Sequence, residues 1–183
     1  MTNLLPTQEQ LETALKLAKG EWQKYIIRRG YAILGGSAAY WSGRYKRSLL
    51  RLCRRLREAG IEARAFVNKG DFTFYLIMGA EWVKLFDRVE AVMSPASVVY
   101  AQLQIGKFPD DMEKSLKKLK LRQKLRSLLA KCKDALSAIG DYYGNSVRCY
   151  CDPPKAYSEA TSIVEEVEKL WNEMKDFVGV FLL

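Results

Sequence analysis

Residues 61–78 have the sequence IEARAFVNKGDFTFYLIM, and this stretch decides the fold class. Apolar or small side chains recur at every second position from Ile61 to Val67 and again from Phe72 to Met78. A period of two is typical of strands, and the Asn68-Lys69-Gly70-Asp71 segment between the two runs is typical of a short hairpin loop. The stretch therefore predicts a β-hairpin.

Further elements are predicted on both sides of this hairpin. Apolar residues recur at helical spacing over 8–29 and 37–59 before it, and over 80–93 after it. A short apolar run at 31–34 predicts a strand. The β-branched run at 98–105 predicts another, because Ser94-Pro95 is typical of a helix end.

The predicted order over about 31–105 is strand, helix, strand, strand, helix, strand. This order predicts an α+β protein with a ferredoxin-like βαββαβ core. The alternative is a winged-helix core, with 44–59 as the recognition helix and the 61–78 hairpin as its wing. Ala39 and Gly43 have the spacing of a helix-turn-helix, whereas Ser42 and Arg44 stand where that motif keeps apolar residues. The ferredoxin-like order is favoured, since it accounts for the helix and strand after the hairpin.

The composition changes after Pro109, where two long helical patterns follow. The first is predicted to begin at Asp110 and to end near Gly140, and the second to run from Ser158 to about Asp176. The loop between them has a candidate strand at 147–150. We therefore expect residues 1–106 to form the core with an N-terminal helix. Residues 107–183 are expected to form a C-terminal helical hairpin packed on that core in one compact unit.

The charge and the missing histidines limit the function. The chain has 30 Lys and Arg residues against 21 Asp and Glu, a net charge of +9, which favours an anionic partner. It has no histidine, which excludes histidine-based general-base catalysis and histidine-containing zinc sites. Cys149 and Cys151 have no second close pair, so the four cysteines are expected to be buried free thiols, with a disulfide as the alternative. We expect no cofactor and no metal.

The apolar segments are short. No run is long enough to span a bilayer, and the first residues lack the basic-then-apolar pattern of a secretory signal. We therefore expect a cytoplasmic protein without a membrane span. The apolar segment 177–183 is expected to dock on the core, or to mediate contact with a protein partner or a second copy.

A stripe of arginines on the 37–59 helix is the first candidate site. Arg44, Arg47, Arg51 and Arg54 are separated by three or four residues, so they share one helix face, and Glu58 is the only acidic residue in the helix. Arginine binds phosphate through bidentate hydrogen bonds. The full set of predicted nucleic-acid-binding residues is Arg44, Lys46, Arg47, Arg51, Arg54, Arg55, Arg64, Lys117, Lys118 and Arg122.

Two further candidate surfaces each have a structural alternative. The basic stretch 112–133 either extends the phosphate-binding surface or pairs with the acidic last helix. The outer sheet face, with Phe66, Tyr75 and Tyr100, either stacks bases or is a second core layer covered by helices.

The leading functional hypothesis is a non-catalytic nucleic-acid-binding protein that grips phosphates through the basic helix face. The alternative is a protein-interaction module, either a subunit of a larger assembly or an inhibitor of another protein. An enzyme is the least favoured class, because without histidine it would depend on carboxylates, lysine, tyrosine or cysteine.

Overall fold

The computed structural model describes residues 4–35, 40–105 and 112–182. Within these residues the fold is mixed α+β and mostly helical, with six helices and one three-stranded antiparallel sheet. The elements are α1 Gln8–Leu17, α2 Glu21–Arg29, β1 Tyr31–Ile33, α3 Ser42–Glu58, β2 Ala63–Asn68, β3 Thr73–Met78, α4 Ala80–Ile105, α5 Met112–Val147 and α6 Pro153–Leu182.

The predicted hairpin is confirmed. β2 and β3 pair antiparallel from Ala63 opposite Met78 to Asn68 opposite Thr73. In the loop, the Gly70 amide donates to Asn68 Oδ1 at 2.9 Å and the Thr73 amide donates to an Asp71 carboxylate oxygen at 3.1 Å. These side-chain acceptors stabilise the turn, as Asn and Asp commonly do.

The short strand predicted at 31–34 is also confirmed, as β1. It pairs antiparallel with β3, with Tyr31 opposite Tyr75, so the sheet order is β1-β3-β2. β3 is therefore the central strand, and every residue from Thr73 to Met78 is buried. A strand buried on both faces needs a covering layer on each side. Helices α2 and α3 pack on one face, and the C-terminal part of α5 covers the other.

The single helix predicted over 8–29 is wrong, because the chain breaks between α1 and α2. Thr7 and Gln10 form the expected capping box at the start of α1. The helix ends at Leu17, and Gly20 has a φ of +92°, which a helix does not accommodate. The apolar spacing continues across the break because both helices pack against α3.

The strand predicted at 98–105 is also wrong, since α4 continues through Pro95 to Ile105. Its buried residues, Val92, Ala96, Val99 and Leu103, are separated by four, three and four positions. That spacing is helical, and burial at helical spacing overrides the strand preference of the valines. The fourth strand of a ferredoxin-like sheet is thus missing from this segment, and the ferredoxin-like order is not confirmed.

The winged-helix alternative is not confirmed either. Ala39, one of the two residues with helix-turn-helix spacing, is among residues 36–39, which lie outside the described residues. The predicted start of the long C-terminal helix at Asp110 lies outside them as well. Within the described part, α3 begins at Ser42, later than the predicted 37.

Helix replaces the first half of the loop predicted at 140–154, because α5 runs on to Val147. Residues 148–151 form turns and bends, and the candidate strand at 147–150 is not formed. The helix was predicted to end near Gly140, and Gly144 follows four residues later. Both glycines lie instead inside α5 on one face, where they contact Tyr75 and Tyr31 of the sheet. The last helix starts at Pro153 rather than Ser158, and prolines are well accommodated in a first helical turn.

The chain groups into two compact units, which differ from the predicted division at residue 106. The sheet unit comprises Met1–Phe86 and Leu136–Thr161, and the helical unit comprises Asp87–Ala135 and Ser162–Leu183. Among the residues that the structure describes, no helix is both long and apolar enough to cross a membrane.

Candidate nucleic-acid interface

The arginine stripe lies on α3, and the opposite side of this helix is anchored in the core. Leu49, Leu52, Cys53 and Leu56 are buried, and their spacing of three and four residues places them on one face against β2 and β3. Burying four apolar side chains on one face fixes which face of α3 remains exposed.

A polar cluster also holds α3 against the first two helices. Gln23 of α2 is only 4% exposed, and its Nε2 donates to Ser48 Oγ at 2.9 Å. Its Oε1 accepts from the Lys19 amide and from Arg55 Nη2, at 2.7 and 2.6 Å. Arg55 Nε donates to the Leu17 carbonyl oxygen at 3.1 Å, which caps the end of α1. Arg55 is one of the predicted phosphate-binding residues, and its guanidinium joins three helices through these contacts.

The other predicted α3 residues are exposed. Arg44, Arg47, Arg51 and Arg54 all face away from the buried leucines, and Lys46 is exposed as well. None of these five side chains forms an ion pair or hydrogen bond with a residue that the structure describes. Glu58, four residues after Arg54, is the one carboxylate of α3 on this face, and it forms no ion pair with a described residue. The four guanidinium groups therefore leave the face with a net positive potential. We call Arg44, Arg47, Arg51 and Arg54 the arginine stripe.

Two exposed aromatic residues at the start of α3 were missed by the sequence analysis. Trp41 falls within the apolar helical pattern of 37–59, but it is 54% exposed, and Tyr40 is 84% exposed. Their rings contact edge to face, with centroids 5.3 Å apart. The helical spacing was misleading because α3 begins at Ser42, so Trp41 is the residue before the helix. The order Tyr-Trp followed by a basic helix is the signal that could have identified them.

Arg64 lies on β2 and is half-buried. Its Nη1 donates to the Ala63 carbonyl oxygen at 2.8 Å and lies 3.8 Å from a Glu62 carboxylate oxygen. Part of its hydrogen-bonding capacity is therefore used within the hairpin, unlike that of the arginine stripe.

The outer sheet face is covered, so the interpretation of this face as a second core layer is correct. Tyr75 is 2% exposed, and its hydroxyl donates to Asp141 Oδ1 of α5 at 2.9 Å. Phe66 stacks on Tyr75 with ring centroids 6.1 Å apart and is half-buried. Tyr100 lies on α4, not on a strand. The predicted base-stacking set is thus not assembled on an open sheet, because α5 occupies the space a base would need.

The three predicted residues on α5 belong to the helical unit and differ in exposure. Lys117 is exposed and pairs with Glu113, with 3.6 Å between nitrogen and oxygen. Lys118 is buried and Arg122 is half-buried. Two of the three therefore offer little charged surface to a phosphate.

The basic stretch of α5 and the acidic α6 line one groove of the helical unit. No ion pair joins Lys117, Lys120, Lys124 or Lys131 to a described carboxylate of α6. The α6 carboxylate Glu168 pairs with Arg88 of α4, with Arg88 Nη2 2.5 Å from Glu168 Oε1. The exposed carboxylates of α6 at Glu165, Glu166 and Glu173 form no ion pair with any described residue. Glu165, Glu166 and Glu173 therefore keep their negative charge without a cationic partner among the described residues.

The cysteines are all free. Cys53 and Cys132 are buried as predicted, and burial raises the pKa of both thiols, that of Cys132 to about 11. Such thiols are protonated at neutral pH and poorly nucleophilic. Cys149 is exposed and Cys151 is half-buried, so the prediction of burial is wrong for these two. Within 4–35, 40–105 and 112–182, no three Cys, Asp or Glu residues come together as metal ligands.

Comparisons with protein-family models, with curated proteins and with solved structures find no match to this chain. The function of this chain is therefore inferred from the geometry and chemistry of the chain's own residues.

Proposed function

We propose that this chain is a non-catalytic nucleic-acid-binding protein that holds phosphates with the arginine stripe of α3. One observation carries the proposal: four exposed guanidinium groups share a helix face and have no acidic partner among the described residues. Surface charges that serve only solubility are usually mixed in sign, as on α1 and α2. A single-sign stripe on a rigid, anchored helix suits a polyanion.

The length and chemistry of the stripe support phosphate binding. Arg44 and Arg54 are about 15 Å apart along the axis, because a helix rises about 1.5 Å per residue. That length covers about four nucleotide steps at roughly 3.4 Å per step. Arginine remains charged and presents a planar set of donors that matches phosphate oxygens. Affinity from such contacts depends little on sequence and falls as salt rises.

The exposed aromatic pair at the start of α3 supports a second kind of contact. Tyr40 and Trp41 present apolar ring faces beside the first arginine of the stripe. Aromatic rings next to arginines bind unpaired bases by stacking, with little sequence preference. We therefore propose that single-stranded or locally opened nucleic acid is a ligand of this surface.

The finer fold that we propose is a winged-helix arrangement. A ferredoxin-like core requires a fourth strand, which was predicted at 98–105, and that segment is helical. The remaining order is a short strand, α3, and a hairpin whose second strand pairs with the first. In this arrangement α3 is the recognition helix, and the loop between β2 and β3, with exposed Lys69, is the wing tip.

The test is fluorescence anisotropy with labelled single-stranded and duplex oligonucleotides at low and physiological salt. We expect the wild type to bind and the double variant Arg47→Glu, Arg51→Glu to lose at least tenfold in affinity. The matched control is Lys16→Glu with Lys19→Glu on α1, which changes the net charge equally at two exposed lysines. Equal binding by the wild type and the α3 variant would refute this site, and no binding at low salt would refute the function.

A further inference from the structure

An apolar groove lies between α5 and α6 in the helical unit. Its volume is about 610 Å³. Leu121 and Leu128 of α5 line it together with Leu170, Met174 and Phe177 of α6. Phe177 is 63% exposed although it has the most apolar side chain of the groove. Exposed apolar surface rimmed by charge is typical of an interaction site.

The α5 edge of this groove is basic. Lys117, Lys120, Lys124 and Lys131 line it, and Lys124 Nζ lies 5.8 Å from the centre of the Phe177 ring. Apart from Lys117, which pairs with Glu113, these lysines have no carboxylate partner among the described residues. Lys120 and Lys131 are about 16 Å apart along the helix.

The α6 edge carries a matching row of carboxylates. Glu165, Glu166, Glu173 and Asp176 are exposed, and none pairs with a residue of the described ranges. Glu173 itself lines the groove. Glu165 and Asp176 are also about 16 Å apart along their helix. The part of the basic row from Lys120 to Lys131 therefore has the same length as the acidic row, and neither forms an ion pair with a described residue of its own chain.

We propose that a second copy of this chain occupies the groove and forms a symmetric dimer. In a two-fold interface each contact occurs twice. The α5 lysines of the first copy therefore contact the α6 carboxylates of the second copy, and the α6 carboxylates of the first copy contact the α5 lysines of the second. The two grooves then face each other, and Leu170, Met174 and Phe177 of both copies form a shared apolar contact above Leu121 and Leu128, which are already buried within one chain. A single fatty acid or other small anion would use only one charge of the row, whereas a second α6 matches its whole length.

The dimer is independent of the nucleic-acid proposal, because none of the groove residues belongs to the arginine stripe. Its test is light scattering after size exclusion on nucleic-acid-free protein, over a range of concentration and salt. The wild type is expected to approach twice the 21.0 kDa mass of one chain as concentration rises and to dissociate as salt rises. The variant Arg47→Glu, Arg51→Glu is expected to dimerise like the wild type, which separates the two proposals.

Charge reversal gives the decisive comparison. Lys120→Glu with Lys124→Glu and, separately, Glu166→Lys with Glu173→Lys are each expected to give monomers with wild-type helical circular dichroism. An equimolar mixture of these two variants is expected to dimerise, since each then supplies the charge that the other lacks. The α1 double variant Lys16→Glu, Lys19→Glu is the control and should dimerise normally.

Three outcomes would overturn the proposal. If the wild type has the mass of one chain at high concentration and low salt, the proposed dimer does not form. A helix of another protein would then be the candidate ligand of the groove. Charge-reversed variants that dimerise like the wild type would exclude this surface. Two monomeric variants that stay monomeric when mixed would exclude the reciprocal pairing.

Discussion

Tyr75 of β3 packs directly against Gly140 of α5. A Cβ atom at position 140 would lie 2.2 Å from Tyr75 Cδ1, much closer than real atoms approach each other. One turn further along α5, a Cβ at Gly144 would lie 2.7 Å from Tyr31 Cδ1. The two glycines thus let α5 approach the outer sheet face closely enough to bury the ring of Tyr75 and to half-bury that of Tyr31.

We predict that Gly140→Ala destabilises the fold by about 1–3 kcal/mol, because the added methyl group forces Tyr75 or α5 to move. The direction of the change in unfolding free energy is informative, because replacing a glycine inside a helix by alanine ordinarily stabilises the protein by about 1 kcal/mol. Denaturant unfolding measures the change. Gly43→Ala in α3 is the control: a Cβ there has Arg47 Nη1 at 3.8 Å as its nearest neighbour, so no loss is expected. A Gly140→Ala protein as stable as wild type would contradict this packing.

The hydrogen bond between Tyr75 and Asp141 predicts a pH dependence of stability. Asp141 keeps an exposed edge, but partial desolvation of its carboxyl raises its pKa. The Asp71 carboxylate raises the pKa further, whereas the Tyr75 hydroxyl and Arg148 oppose the rise. The pKa of Asp141 is higher in the folded state than its unfolded value of about 3.9. The protonated carboxyl therefore contributes its full stabilisation of the fold below that pH. This stabilisation is lost as pH rises through the folded-state pKa. Ionised Asp141 therefore costs stability at neutral pH.

We accordingly expect Asp141→Asn to gain in unfolding free energy relative to wild type as pH rises from the acidic range to neutrality. The asparagine keeps an oxygen that can accept from Tyr75 but never ionises. Thermal or denaturant unfolding at a series of pH values measures the difference. Asp152→Asn, at another exposed aspartate, is the control for the loss of one carboxylate. A difference between Asp141→Asn and wild type that is flat with pH would contradict the raised pKa of this carboxyl.

The sequence predicted the elements whose signal is local, and missed those that depend on distant contacts. The hairpin at 63–78 follows from alternation and turn chemistry within one short stretch. The continuation of α4 through Pro95 depends on which residues are buried, and a period of two competes there with a helical period. The role of Gly140 could not be predicted, because the need for a missing side chain comes from Tyr75, more than sixty residues earlier in the sequence.

The candidate site shows the same contrast. Spacing alone identified the face that carries Arg44, Arg47, Arg51 and Arg54. It did not separate them from Arg55, because one helical position decides whether a guanidinium faces solvent or the end of α1. Nor could it identify Trp41 as exposed, since the exact start of α3 determines on which side that ring lies.

Arg51 and Arg55 are predicted to separate binding from stability. Arg55→Ala should destabilise by about 1.5–3 kcal/mol, because it leaves the Leu17 carbonyl and Gln23 Oε1 without their charged donor. Arg51→Ala should change stability by less than about 0.5 kcal/mol, as exposed substitutions do. It should also reduce the slope of log affinity against log salt by about 0.7–0.9, the contribution of one phosphate contact. Denaturant unfolding and anisotropy titrations on both variants check this. Equal effects of the two variants on binding would contradict the assignment.

Trp41 is predicted to report on single-stranded ligands directly. Of the four tryptophans it alone is exposed, whereas Trp22 and Trp171 are half-buried and Trp82 is buried. Single-stranded nucleic acid is expected to quench the Trp41 emission, and Trp41→Phe should abolish this quenching. Trp41→Ala should weaken single-strand binding by about 1–3 kcal/mol, the loss of one stacked base, with a smaller effect on duplex. Tyr150→Ala, at another exposed aromatic residue of the sheet unit, is the control and should bind normally. If Trp41→Ala binds single strands as tightly as wild type, the aromatic pair takes no part in binding and the arginine stripe acts alone.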